Sequence, residues 1–404
     1  MAAPPAKPGW IVPAVLMLAS TVSMLATDLY TPSLPMLTDV FGAPAETIQL
    51  TMTLNLAGFA VGQLLFGPIS DRLGRKPAML LGLGLFAIAS VLCAIAWSAE
   101  ALIAARIFQG LVAACEAVIG MAVIKEIYGE EDGVRIVAIY GLVIAAAPAV
   151  GPLIGGQMLV LFGWQSNFWL LSGLAVIAWL AIWRFLIETV QPDRTALQPS
   201  RLRREAALAL RVPAFWLYTI GPAAALAGLF AYITEGPFVL IDQLGVAPQS
   251  FGYYHAIVVA AFFVTNIAVN RYSERVESLL LLRLGTVMAM IGAAAAIGFA
   301  ATATIAPWSL IVAVSFFASS IGLIYAVAPL KALASTKAST GMAASLRGFL
   351  EMMGAMAGSA GVTALHDGTE WPLVTIMAGS AVFILIGDFG ARYAERRAPM
   401  LKRT

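Results

Sequence analysis

Four acids and two arginines lie where charged side chains are costly. Asp28 sits in MLASTVSMLATDLYTPSLP (Met17–Pro35), an apolar stretch carrying Pro32 and Pro35. Arg106 lies in ARIFQGLVAA (Ala105–Ala114), Glu116 follows ten residues on, Glu235 precedes Pro237, and Arg347 and Glu351 are four residues apart. A charge in hydrocarbon costs roughly 3 kcal/mol or more even on lenient insertion scales, so each of these groups is a functional candidate by default. The chemistry open to them is taking up and releasing a proton, or pairing with opposite charge. The nearby prolines remove backbone donors and bend a helix, which a membrane tolerates only where the freed groups face protein or a water-filled cavity. Other chemistry has no foothold: there is no catalytic triad, zinc signature or redox pair, and no G-x-x-x-x-G-K-[ST] loop for ATP. Cys93 and Cys115 lie in apolar spans without CxxC spacing or a neighbouring His, so they read as packing residues, and no metal site or cofactor is expected.

The elements that must position these groups are membrane spans. With 60% hydrophobic and 11% charged residues and a mean hydropathy of +0.88, the chain is no soluble domain. Apolar runs fall near 11–34, 48–68, 77–97, 101–123, 136–160, 166–187, 212–240, 251–270, 278–300, 305–330, 341–364 and 371–392. Each reaches the roughly 20 residues needed to cross about 30 Å of hydrocarbon, which predicts an all-α membrane protein of twelve transmembrane helices. With the N-terminus placed in the cytoplasm, 22 of the 24 Lys and Arg fall in cytoplasmic segments, and the other two, Arg106 and Arg347, lie inside runs. The positive-inside rule therefore places both termini in the cytoplasm. Trp10, Trp97, Trp164, Trp183, Trp216, Trp308 and Trp371 fall at run ends, as interfacial belts require. A lone Lys7 before an apolar run too long for a signal-peptide core predicts that the first span stays attached. The net charge of +2 reports this orientation; without a basic patch interleaved with aromatics, no nucleic-acid partner is expected.

The longest loop is polar, Arg-rich and broken by Pro192 and Pro199, so the chain reads as a six-helix half over 1–187, a cytoplasmic linker over 188–211 and a second half over 212–404. A weak repeat supports this: Ser70-Asp71-Arg72 aligns with Ser273-Glu274-Arg275, and Asp28 before Pro32 corresponds to Glu235 before Pro237. Parallel six-helix repeats place a substrate site at their interface near the bilayer midplane. At 1.5 Å per residue Arg106 lies about 10 Å from the outer face, and Asp28 about 25 Å from the inner one, so the two share the outer half and can pair. The pair would open when Asp28 takes a proton; the alternative is a permanent structural bridge. Glu116, about 15 Å deeper than Arg106, is either a cavity acid or an interfacial one. Glu235, at Asp28's depth, either faces the cavity, favouring cationic substrates, or is hydrated at the outer mouth. Glu351 lies near the midplane and pairs along its helix with Arg347, while Tyr30, Asn55, Gln109 and Glu351 are further cavity candidates. His255, beside Tyr253 and Tyr254, is expected at the interface rather than in a proton relay.

Several stretches resemble one family. GPISDRLGRKP (Gly67–Pro77) resembles the G-x-x-x-D-R-x-G-R-K-P loop between helices 2 and 3 of the major facilitator superfamily, and ARIFQGLVAA is similar to its fourth-helix R-x-x-Q-G-x-x-A motif. GLVIAAAPAVGPLIGG (Gly141–Gly156) is similar to the fifth-helix motif of its drug:proton antiporters, and ATDLYTPSLP (Ala26–Pro35) to the first helix of the Bcr/CflA branch. The resemblance covers nearly the whole chain. It implies a conformational switch at Gly67, Asp71, Arg72, Gly74, Arg75 and Lys76, and proton coupling through Arg106 with Asp28. It further implies a gasket against proton leak at Gly141, Pro148, Gly151, Pro152, Gly155 and Gly156. Glu116 and Glu235 depart from the pattern and inherit no role, though both remain coupling candidates by position. The function expected is proton-coupled efflux of amphipathic small molecules such as drugs by alternating access, from a monomer in the bacterial cytoplasmic membrane, with the proton as coupling ion and the bilayer as surroundings. The alternatives are an exporter of a specific metabolite or metal-chelating natural product, and a substrate sensor with vestigial transport.

Overall fold

A computed structural model describes residues 9–193, 198–272 and 275–401. Lys7, Arg194, Ser273, Glu274, Lys402 and Arg403, which entered the topology and repeat arguments, lie outside the described residues. Among those described, the chain is helical and has no β-strand.

α1 (Ile11–Asp28) ends at the acid for a local reason. Pro32 lacks the N–H that would bond back to the Asp28 carbonyl, and Thr31 Oγ1 donates to that carbonyl instead, at 2.8 Å. A 3₁₀ turn, Thr31–Ser33, leads into α2 (Leu34–Phe41), and the three pieces form one 31-residue span. The second half repeats the device: α8 (Pro213–Pro237) stops just past Glu235 and gives way to a π-type turn over Phe238–Gln243. The acid–proline pairs in the sequence therefore mark matching breaks in the first span of each half.

α3 (Ala45–Leu73) and α4 (Arg75–Ala94) are joined by Gly74 at φ 98°, a conformation open mainly to glycine. α5 (Ala99–Phe162) differs from expectation, since helical hydrogen bonding continues through residues 124–135, where a loop was expected between runs. It is not straight. Arg106 and Gly155 both lie against residues 26–29 at the end of α1, and their separation of 49 positions would cover about 74 Å of straight helix. The segment doubles back, giving antiparallel arms over Ala99–Tyr128 and Ile139–Phe162. The connection KEIYGEEDGVRIV has no proline to stop the helix.

α6 (Gln165–Phe185) closes the first half. The linker is not wholly irregular: Pro199 opens α7 (Pro199–Leu210), using the first-turn position where its missing N–H has no cost. The remaining helices are α9 (Pro248–Tyr272), α10 (Ser278–Ala301), α11 (Pro307–Tyr325), α12 (Ala328–Ala334), α13 (Thr340–Leu365) and α14 (Trp371–Leu401). Thr336 Oγ1 and the Ser339 N–H, between α12 and α13, bond to Leu208 O and Glu205 Oε2 of α7, tying the linker to the second half.

Eleven spans among the described residues are long and apolar enough to cross a bilayer. The twelfth expected run is α13, whose 26 residues also suffice in length, but Arg347, Glu351 and its glycines dilute its hydropathy. Its place explains this: α13 packs between α8 and α3, so its polar groups meet protein. α3–α13 and α5–α9 form the two seams between halves. Outward faces carry exposed Ile88, Ile177, Val264, Ile267, Phe383 and Phe389, the surface a lipid-facing bundle needs. Among the tryptophans Trp97 is exposed, whereas Trp164 is buried against Phe41 and Phe168. Among the described residues one end of the bundle gathers most of the Lys and Arg, and the opposite end carries Asp39, Glu46, Glu100, Asp242, Asp367 and Glu370 and no Lys or Arg.

Candidate functional site

The first half holds a buried polar centre at the α1 break. Asp28 is 4% exposed, and its Oδ1 has no hydrogen-bond partner. Arg106 of α5 is fully buried. Its Nη1 donates to Ala26 O at 2.9 Å and Gln109 Oε1 at 2.5 Å, its guanidinium carbon stands 4.3 Å from the centre of the Tyr30 ring, and its Nε and Nη2 are unmatched. Arg106 acts on Asp28 electrostatically, yet the direct pair expected from sequence is not formed in this conformation: complementary groups on the two side chains stand unengaged.

Tyr30, Asn55 and Gln109 are not free cavity walls. Tyr30 and Thr51 share a hydroxyl contact of 3.0 Å, Asn55 Nδ2 donates to Arg106 O at 2.8 Å, and Gln109 Nε2 donates to Ser90 Oγ at 2.8 Å. They fasten α1, α3 and α4 around Arg106. Glu116 is likewise neither interfacial nor open to a cavity. It is fully buried and accepts from Ser23 Oγ at 2.7 Å through Oε2, while Oε1 has no partner.

The fifth-helix residues split between two faces of the second arm of α5. A Cβ on Gly151 would stand 3.1 Å from Asp28 Cβ, and one on Gly155 would strike the Leu29 carbonyl, so both glycines let α5 close on the acid. Gly156 faces the other half, where a Cβ would meet Pro248 O at 2.8 Å and Gln249 Cα at 3.0 Å. Pro148 and Pro152 lie within the arm, and the backbone at Pro152–Leu153 packs on Gly252 of α9. Gly141 has open space and makes no such contact.

At the basic end, Asp71 pairs with Arg75 at 2.6 Å, and Arg75 reaches Glu126 at 2.9 Å. The N-terminus of α4 is capped by Glu188, which accepts from the Arg75 and Lys76 N–H groups at 2.8 and 3.2 Å; Lys76 Nζ donates to Trp183 O. A Cβ on Gly74 would strike the Glu188 carboxylate, a second reason for glycine there. Arg72 is exposed. These contacts stay within the first half and the segment leaving it. Gly67 touches the second half, a Cβ there lying 3.6 Å from Ser345 Oγ. Glu126 and Glu188 escaped sequence reasoning because they lie 51 and 113 residues from Arg75.

In the second half, Glu351 and Arg347 form the expected pair at 2.5 Å, and Tyr325 also bonds Glu351. Glu235 is fully buried, not hydrated at the mouth. Its Oε1 lies 2.7 Å from His366 Nδ1, and its Oε2 accepts from Gln49 Nε2 of the first half at 2.7 Å. His366 was overlooked in the sequence, although it is one of only two histidines. It stands just past α13, and its hydrogen bond to Glu235 holds it above its ordinary value of 6.5. The interfacial place expected of His255 does not hold: it is 2% exposed, stacked against Tyr232 and Phe251. Cys93 and Cys115 are buried and free.

Residues 16–362 match the Major Facilitator Superfamily. The chain belongs to that superfamily. Over 276 residues it is 36% identical to a chloramphenicol resistance protein of Pseudomonas aeruginosa, a match spanning 67% of this chain and 65% of that protein. It is 28% identical over 341 residues to the multidrug transporter MdfA of Yersinia pestis, covering 84% of this chain and 83% of the relative. Among solved structures, a bacterial homologue of the human lysosomal transporter Spinster superposes with a TM-score of 0.73 at 16% identity, covering 98% of each chain. A D-xylose–proton symporter superposes with a TM-score of 0.73 at 15% identity, over 93% of this chain and 97% of that one. These superpositions show the fold, an all-α membrane bundle, while membership of the superfamily rests on the match over residues 16–362.

Proposed function

We propose that this superfamily member is a proton-driven exporter of amphipathic small molecules, working as a monomer in a bacterial cytoplasmic membrane with its basic end and both termini in the cytoplasm. One observation carries the reading: a buried carboxylate, Asp28, stands unpaired beside an arginine with two unmatched N–H donors, at a helix break sealed by Gly151 and Gly155 of α5. An ionised Asp28 is drawn to Arg106, and a proton on Asp28 removes that attraction, so proton binding selects between two local arrangements. Because Asp28 packs on the arm of α5 whose Gly156 forms the seam with α9, the local choice bears on how the halves meet. The names of the relatives favour drugs as substrates, and the basic end supports the orientation.

The test is efflux from everted vesicles under an imposed pH gradient, with chloramphenicol as the neutral substrate and a lipophilic cation for comparison. The reading expects uptake into the vesicles that collapses with the gradient and is lost in Asp28→Asn. Uptake unaffected by dissipating the gradient would contradict it.

A further inference from the structure

We propose that Glu235, His366 and Gln49 form a proton-binding latch that closes the outer end of the seam between the halves, its proton taken from the outer medium. The latch takes its sidedness from the orientation proposed above and does not require Asp28 to be the coupling acid. Gln49 lies one turn into α3, in the first half; Glu235 and His366 belong to the second. The three meet in one cluster: Glu235 Oε1 to His366 Nδ1 at 2.7 Å, Gln49 Nε2 to Glu235 Oε2 at 2.7 Å, and Gln49 Nε2 to His366 Nδ1 at 3.2 Å. One turn deeper the same seam continues as hydroxyls, with Ser359 Oγ at 2.7 Å from Thr53 Oγ1 and 2.8 Å from Thr234 Oγ1.

A hydrogen must lie between Glu235 Oε1 and His366 Nδ1, because a carboxylate oxygen and a bare imidazole nitrogen would repel at 2.7 Å; the neutral Nδ1–H tautomer also supplies it, so the need for a further proton comes from charge. Glu235 is fully buried in this state, and a buried carboxylate needs a matching charge. Closure over a protonated His366 buries a neutral pair; closure over an unprotonated one buries a bare carboxylate. Once the halves part, Gln49 leaves and water reaches Glu235, so the requirement lapses. The closed state therefore binds one proton more than the open state, and acid favours closure.

The surroundings act in the same direction. Glu46 of α3 and Asp367 next in sequence both act on His366, as does Asp242 of the π-type turn, which in turn feels Asp39 of α2. Phe238 covers the imidazole edge-on at 5.6 Å. No Lys or Arg stands at this end among the described residues, so His366 is the one cation the carboxylates can share. The Asp367 carboxylate is held low by hydrogen bonds from Thr369 and stays ionised. The raised value of His366 belongs to the closed state; its contribution is full in acid and is lost as pH rises through that value. A cleft of about 260 Å³, lined by Thr38 and Ala45 of one half and Asp242 and His366 of the other, gives the outer medium a route to the imidazole.

The test is a distance measurement by electron spin resonance on the full chain in nanodiscs. Spin labels go on Trp97→Cys, between α4 and α5, and Ala301→Cys, at the outer end of α10, exposed positions in opposite halves; Cys93 and Cys115 are buried. The latch predicts that the short-distance population grows as pH falls, with a midpoint above 6.5. His366→Gln should abolish that pH response, and Gln49→Met should favour the long distance at every pH, which serves should His366→Gln fail to fold. The response should persist in Asp28→Asn. A response that survives in His366→Gln, or a seam that opens as pH falls, would overturn the latch. A response lost in Asp28→Asn but kept in His366→Gln would assign it to the first-half acid, leaving the proposed function intact.

Discussion

The two halves use the same break, an acid ahead of a proline in their first span, and treat the acid in opposite ways. In the second half each buried acid among the described residues faces a basic side chain: Glu235 with His366, Glu351 with Arg347, and Asp388 with Arg392 on α14. In the first half Asp28 and Glu116 each keep a buried oxygen without a partner, and Arg106 keeps two unmatched donors. Native proteins leave few buried polar atoms unsatisfied, so those that remain call for a reason. The contrast assigns the second half the part of a charge-matched scaffold with a latch at its edge. It gives the first half the groups poised to exchange partners.

Three changes would break or sharpen this contrast. The largest effect is expected of Gly151→Leu, whose side chain would collide with Asp28 across a Cβ distance of 3.1 Å. Efflux in vesicles should fall at least about tenfold, or persist without proton movement, because overfilling a close helix contact displaces the acid. A normal substrate-to-proton ratio would return Gly151 to plain packing. Next comes Arg347→Met, which leaves Glu351 buried without its cation and should cost about 3–5 kcal/mol. Thermal melting of the purified protein should show Arg347→Met with Glu351→Leu recovering most of that loss. If the double change is as unstable as the single one, the second half is not charge-matched in the sense argued here. The smallest structural effect belongs to Asp71→Asn. Asp71 is half-exposed and bonded to Arg75, so stability should move by less than about 1 kcal/mol. Transport should slow while ligand affinity holds; wild-type flux would remove the loop from the conformational cycle.

What could be read from the sequence follows interaction range. Span positions were legible because hydropathy is local, and α13 still fell in its expected place although two charges and several glycines weaken its signal. Arg347 with Glu351 was legible because partners four residues apart on a helix meet. The Gln49–Glu235–His366 cluster was not, since its members lie 131 and 186 residues apart and no local pattern joins them. The two runs expected within α5 stand as its two arms, and only the helical character of their connection was not legible, because polar residues signal departure from the membrane, not departure from helical structure. The Asp28–Arg106 match in depth was legible and places both side chains in one layer, but depth alone says nothing of whether they touch. Burial of His255 could not be read from its aromatic neighbours, because Tyr232 stacks on it from 23 residues away on another helix.

The central claim is that the proton-exchanging acid is the unpaired one, Asp28, and not a paired acid of the second half. Proton release on adding substrate to the purified protein tests it most directly, comparing Asp28→Asn and Glu351→Gln with the protein that carries neither. In a His366→Gln background, which removes the latch proton, the account predicts release from the otherwise unchanged protein and from folded Glu351→Gln, and none from Asp28→Asn with neutral-substrate binding retained. Undiminished release from Asp28→Asn, with loss in Glu351→Gln, would contradict it.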